Sequence, residues 1–344
     1  MLQIDKVSLG NFPTPLQYLE KLSKKFNYNL FIKRDDLTGL AFGGNKTRKL
    51  EYLIADALDK GAKAVLTEGA AQSNHARQKA AAAIKYGLIP HLLLFKPQLG
   101  EIQGNLLLDN ILGAKIHWID REKLYEERLK KIGVLRDCHG ADPYFIPMGG
   151  SNEIGLWGYI DAIDELKTQC HKLGQEFDYI VFASSSGGTQ AGMILGKALF
   201  GLKAQIIGIE IAKNMYPDKT VKQHIQTIMQ MAVNDFGLKI DVSDLEINLI
   251  HGYNEAGYGV MTQRELNAIN IMAQTEGIFL DPVYTGRAFG ALIDMMEKDY
   301  FPKGSNILFW HTGGHPALFA YADQLVEKHE PGKDNKDLHK EINE

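Results

Sequence analysis

The sequence predicts a layered α/β fold with largely parallel strands, and three observations carry that reading. Short apolar runs rich in β-branched and aromatic residues recur along the 344 residues, each bounded by Gly, Pro, Asp or Asn. Helical patterns lie between them, which gives the alternation of a layered α/β protein. The later runs are apolar throughout, as strands covered on both faces are, and this points to parallel pairing.

In chain order, Asn29 to Lys33, Ala64 to Thr67, His91 to Phe95 and Lys115 to Ile119 read as strands. Asp178 to Ala183, Ala204 to Ile211 and Asn306 to Trp310 follow in the second half, while Ala76 to Tyr86 and Gln190 to Leu199 read as helices. There is no internal repeat. Residues from about Glu327 to Glu344 turn highly charged around Pro331-Gly332 and are expected to form a solvated helix or loose tail, with 331–344 set apart as the tail. The length suits two domains of ordinary size, or one large α/β unit with an insertion.

Hydrophobic residues make up 45% of the chain and charged residues 23%, which describes a globular protein able to bury a substantial core. A formal charge of -4 gives no reason to expect nucleic acid and favours small molecules as partners. No apolar run approaches a membrane span, and Met1-Leu2-Gln3-Ile4-Asp5-Lys6 lacks a signal-peptide core, so a cytoplasmic location is expected. Cys138 and Cys170 have no metal-like pairing and read as reduced thiols.

The chemistry begins at Gly43-Gly44-Asn45-Lys46-Thr47-Arg48-Lys49-Leu50, where a lysine sits on a glycine turn at the entrance to a helix. Its amine can swing into a cleft to bind an aldehyde or move a proton, although taken alone it reads more simply as a solvated helix-start residue. A nucleotide P-loop is disfavoured, because Gly39-x4-Gly44 is followed by Asn45 and only then by Lys46. The strongest companion runs from Asp178 to Gly192, a strand leading into a Ser/Gly loop and a small-residue helix. Ser185, Ser186, Gly187, Gly188 and Thr189 offer N–H groups, hydroxyls and a helix N-terminus to a phosphate, the alternative being a plain turn with a serine N-cap. The loop contains no lysine, which favours a single phosphate monoester over a triphosphate. The absence of a Gly-x-Ser-x-Gly elbow argues against a nucleophilic serine.

Gln72-Ser73-Asn74-His75 precedes the alanine-rich helix and could hold a carboxylate or a ring hydroxyl, though capping alone also explains Ser73 or Asn74. Asp281-Pro282-Val283-Tyr284-Thr285-Gly286-Arg287, with Tyr258 upstream, places tyrosines at glycine-edged loops where they serve as acids, bases or structural groups. His311-Thr312-Gly313-Gly314-His315 follows a strand. Histidines four apart make a zinc pair on a helix, and this is a glycine loop, so no metal is expected.

These motifs occur in the order found in the pyridoxal-phosphate enzymes related to tryptophan synthase β, which the chain resembles over nearly its whole length. Within that superfamily it is similar to the D-cysteine desulfhydrase and 1-aminocyclopropane-1-carboxylate deaminase group. Lys33-Arg34-Asp35-Asp36-Leu37-Thr38-Gly39, Gly104-Asn105, Leu112-Gly113-Ala114 and Gly149-Gly150-Ser151-Asn152 extend the likeness. The resemblance implies fold type II, with two layered α/β domains and mostly parallel sheets. Residues 1–47 and 161–330 would form the larger cofactor domain, 48–160 the smaller one, and a homodimer the working unit.

The resemblance also implies roles. Lys46 would hold pyridoxal 5'-phosphate through its amine and then move the Cα proton, Asn74 would bond the ring hydroxyl, and Ser185 to Thr189 would bind the phosphate. Ser73 would hold the substrate carboxylate, with Asn74, His75 and Thr285 also on the substrate side. Tyr258 and Tyr284 would face the substrate, Tyr284 assisting proton transfer. Thr312 would reach the pyridine nitrogen, where a neutral hydroxyl leaves it unprotonated and suits β-elimination of a good leaving group. In the cyclopropane deaminases a glutamate typically follows the equivalent of Tyr284 and a leucine the equivalent of His311. Here Thr285 and Thr312 stand there, and β-elimination from D-cysteine is the activity expected. Cyclopropane deamination, cysteate sulfo-lyase activity and a cofactor-binding protein without turnover are the alternatives.

Overall fold

A computed structural model describes residues 4–96, 102–213 and 215–326 of the protein; the tail expected at 331–344 lies outside the described residues. In chain order the strands are β1 (Leu16–Tyr18), β2 (Asn29–Arg34), β3 (Ala64–Ala70), β4 (Ile89–Phe95), β5 (Lys115–Ile119), β6 (Tyr144–Phe145), β7 (Tyr179–Ser184), β8 (Gln205–Glu210), β9 (Asn248–Ile250) and β10 (Asn306–His311). They form a six-stranded sheet in the order β1-β2-β10-β7-β8-β9 and a four-stranded sheet in the order β5-β4-β3-β6. The one antiparallel pair among them is β1 with β2, at the edge of the larger sheet.

Every strand expected from the sequence is present, within a few residues at each end. The three not foreseen, β1, β6 and β9, hold only three, two and three residues, too few to display a period. Along β7, Ile180 and Phe182 face one hydrophobic cluster while Val181 and Ala183 face another. Burial on both faces is why the strand reads as an unbroken apolar run. The first cluster packs under the helices Trp157–Leu173 and Gly188–Phe200, the second under Gln263–Glu276 and Thr285–Glu297.

Small residues in the Gly188–Phe200 helix have a packing cause. A Cβ on Gly192 would stand 2.3 Å from the Leu156 carbonyl oxygen, and one on Gly196 would stand 2.9 Å from the Ile163 Cβ. The backbone of this helix therefore lies directly on its neighbour, which fixes the loop at its N-terminus.

A buried polar scaffold ties the same region together. Asp35, just past β2, accepts from Arg48 at 2.8 and 2.9 Å, Tyr159 at 2.6 Å, Trp310 Nε1 at 2.8 Å and Thr14 at 2.9 Å. Arg48 also reaches Glu165, and Glu165 pairs with Lys33, so two cations and two carboxylates balance in one network. This scaffold anchors the helix Lys46–Asp59 to β2, to β10 and to the Trp157–Leu173 helix.

Candidate active site

The carboxyl ends of β3, β7 and β10 converge, and the loops that follow them carry the polar residues of one cleft. Open α/β sheets characteristically bind ligands at this end of their strands. An inner recess is lined by Asn45, Lys46, Asn74, Ser185, Ser186, Gly187, Thr189, Tyr284 and Thr312. It opens into an outer cleft of about 540 Å³ that shares Lys46, Asn74, Ser185, Ser186 and Tyr284 and adds Ser73, His75 and Tyr258.

Lys46 begins its helix from a turn that requires glycine. Gly43 and Gly44 have φ of 68° and 128°, and a Cβ on Gly313 of the facing loop would come within 2.7 Å of the Gly44 Cα. The two loops thus touch backbone to backbone, and Asn45 N–H donates to the Thr312 carbonyl at 2.9 Å. Burial pulls the Lys46 amine down to about 8, so a large fraction is neutral and nucleophilic near physiological pH.

Three residues along, Lys49 lies on the same face of the helix. Burial, reinforced by Lys46, holds it well below the usual lysine range, and its Nζ donates to the Gly149 carbonyl at 3.1 Å. A Cβ on Gly188 would approach that Nζ to 2.9 Å, which places the amine against the Ser185–Thr189 loop. Serine and threonine hydroxyls, the N-terminus of the Gly188–Phe200 helix and a buried amine form a suitable donor set for a phosphate monoester. Gly188 N–H itself is taken by Ser151 Oγ at 3.1 Å, and Ser186 Oγ pairs with Ser151 Oγ at 2.8 Å. Asn45 Oδ1 and Ser184 Oγ, both in the recess, are buried without partners. Such orphaned groups fit a polar ligand seated between them.

Ser73 caps the helix Asn74–Lys85 by accepting from Ala76 N–H at 3.2 Å, and its hydroxyl proton remains to donate into the cleft. His75 Nε2 meets Thr67 Oγ1 at 3.0 Å, and burial keeps the ring far below the usual histidine value, hence neutral. The Tyr258 and Tyr284 hydroxyls are 2.5 Å apart. Burial raises Tyr258 to about 12 and Tyr284 well above the usual phenol value, so both keep their protons and act as donors.

Thr285 departs from expectation. Its hydroxyl donates to Asp281 Oδ1 at 2.8 Å and accepts from Asp281 N–H at 2.9 Å, and it lines neither recess nor cleft. It braces the turn that presents Tyr284. The two histidines of the glycine loop come closer than that loop suggested, with Nε2 atoms 3.2 Å apart and Asp36 3.9 Å from His315. Three hydrogen bonds speak against a metal there. Gly313 N–H donates to His311 Nδ1 at 3.1 Å, which leaves the proton on Nε2 facing the Phe279 carbonyl at 2.8 Å, and Asp36 is claimed by Arg34 at 2.7 Å.

Asn45, Lys49, Phe95, Arg121 and Lys213 line or adjoin the site without having been singled out from the sequence. Lys49 had a readable signal in its three-residue spacing from Lys46. Asn45 sits at the N-cap of the helix that Lys46 begins, while Phe95, Arg121 and Lys213 come from separate strand ends and carry no local signature.

A family profile described as "Pyridoxal-phosphate dependent enzyme" matches residues 7–313. The chain is 39% identical over 331 residues to a Klebsiella pneumoniae protein named D-cysteine desulfhydrase, covering 94% of this chain and 98% of that one. It is 40% identical over 329 residues to a Thermotoga maritima protein with the provisional name 1-aminocyclopropane-1-carboxylate deaminase, covering 93% and 100%. A crystal structure described as an ACC deaminase homologue superposes with a TM-score of 0.84 at 38% identity, covering 94% and 96%. Maize serine racemase, at 18% identity and a TM-score of 0.63 over 88% of each chain, shares the fold. This chain therefore belongs to the pyridoxal-phosphate dependent enzymes of fold type II, in the group of the D-cysteine desulfhydrases and 1-aminocyclopropane-1-carboxylate deaminases, and pyridoxal phosphate is its cofactor.

Proposed function

We propose that the protein is a lyase that converts D-cysteine and one water to pyruvate, hydrogen sulfide and ammonia. The observation that carries this reading is the buried, partly neutral Lys46 amine lining one recess with the Ser185–Thr189 loop, Tyr284 and Thr312. When bound, pyridoxal phosphate supplies an electron sink for the pair left on Cα. Lys46 holds the cofactor and later takes the Cα proton. Ser73 and Asn74, at a helix N-terminus, orient the substrate carboxylate. Tyr284, hydrogen-bonded to Tyr258, gives a proton to the departing sulfur. Thr312, uncharged, would hold the ring side of the cofactor, and the Ser185–Thr189 loop with Lys49 would hold its phosphate.

Cyclopropane deamination is the second reading, favoured by relatives that carry that name. Thr312 argues for the first, and Thr285, turned onto Asp281, adds nothing to the choice. We further propose two domains, 1–47 with 161–330 and 48–160, in a cytoplasmic homodimer serving D-amino acid metabolism. Among the described residues no helix is long and apolar enough to cross a membrane.

The test is the visible spectrum of the cofactor-loaded enzyme before and after D-cysteine, with keto acid assayed. A shifted band and pyruvate release are expected, both lost in Lys46→Ala. A Lys46→Ala variant with full turnover would sink the mechanism, and release of 2-oxobutyrate from the cyclopropane substrate alone would favour the second reading.

A further inference from the structure

We propose that Arg121 and Lys213 form a subsite for an anionic group on the β-substituent of the substrate, a refinement that rests on the β-elimination reading. Arg121 lies two residues beyond β5 in the smaller sheet and Lys213 three residues beyond β8 in the larger one, and both line the outer cleft with Lys46. Cations therefore enter the mouth from two different sheets. No carboxylate lines this cleft among the described residues.

The remaining charges of the site are already matched. The cofactor phosphate has the Ser185–Thr189 loop and Lys49, and the substrate carboxylate has the start of the Asn74–Lys85 helix. His75 is neutral. An amino acid with an uncharged side chain would leave Arg121 and Lys213 without a counter-charge.

Several other arginines among the described residues have carboxylate partners, whereas the buried Arg77 donates to the Gly43 carbonyl. Arg48 meets Asp35, Arg287 meets Glu265, and Arg128 occupies Glu68, the acid near the end of β3. Arg121 has no such carboxylate among the described residues. Its guanidinium instead lies 5.7 Å from the Phe95 ring centroid, against a wall of the same cleft. A guanidinium held by a ring keeps its donor fork for a carboxylate, sulfonate or thiolate. Like charges at a cleft mouth also concentrate an anionic substrate.

Aspartate and asparagine are nearly isosteric and differ in β-substituent charge, so they isolate the effect. Both enantiomers of each are titrated into the cofactor-loaded enzyme, and binding is read from the cofactor absorbance. For the accepted enantiomer, aspartate is expected to bind about tenfold more tightly than asparagine. That ratio should shrink with added salt and fall to about one in an Arg121→Gln, Lys213→Gln double variant. Equal binding of the two ligands to the unmodified enzyme would overturn the subsite, as would a preference that survives in the double variant, or no binding by either pair. A charge preference in the unmodified enzyme, lost in the double variant, while D-cysteine yields no keto acid would support the subsite and end the D-cysteine reading.

Discussion

Lys46 shows how burial prepares a residue for chemistry before any substrate arrives. Its amine has lost solvent without gaining a carboxylate, which is why its pKa falls from 10.5 to about 8. Only the neutral amine attacks an aldehyde, so the rate at which cofactor-free protein captures pyridoxal phosphate should rise as the pH climbs through about 8 and then level off. Stopped-flow absorbance across the alkaline range checks this. A rate still rising beyond pH 10 would mean an amine in contact with water. Tyr284 faces the opposite demand, since burial and its hydroxyl partner keep it protonated and able to donate. Tyr284→Phe should lower kcat by about 10²- to 10⁴-fold with little change in KM, the mark of a lost proton donor rather than a lost binding contact.

At the scale of elements, the phosphate loop is only as well placed as the helix behind it. Because the Gly192 Cα faces a backbone oxygen, Gly192→Ala should cost about 1–3 kcal/mol of stability, measurable as a lower denaturation midpoint. An alanine tolerated without loss would show that the two helices can slide apart. This scale also explains what could be read in advance. The central strands and the small-residue helix were legible because burial on both faces leaves an unbroken apolar run and close packing leaves glycines. Lys46, Ser73, Asn74 and the serine loop were legible because each sits where a strand ends or a helix begins. Edge strands of two or three residues have no period to detect. Arg121 and Lys213 follow different sheets, and their shared cleft exists only after folding. Thr285 lies outside the cleft because a hydroxyl beside a tyrosine in sequence can be spent on its own turn.

For the whole molecule, Asp35 is the point where distant segments meet. Burial would raise its pKa, but Arg48, Lys33 and the Tyr159 hydrogen bond outweigh that and hold it below its usual 3.8. Folded-state lowering means that the carboxylate stabilises fully above that value, and that its contribution drains away as the pH falls below it. Asp35→Asn should cost about 3–5 kcal/mol at neutral pH by leaving Arg48 underpaired, and should flatten the acid side of the stability profile. Urea midpoints at neutral and acid pH test both statements, and a variant with unchanged midpoint and slope would refute them. The arrangement of the larger sheet also has a consequence for how the chain is made. Strand β10 lies between β2 and β7, and Asn29 meets Asn306 across 277 residues of sequence. Contacts of such long range are slow to form, and on the ribosome they must wait until the far strand has emerged. The smaller sheet, complete by residue 145, has no such wait. Lys46 is synthesised early, yet the Thr312 carbonyl that fixes its turn arrives near the end, so a nascent chain can bear the lysine long before it has a site.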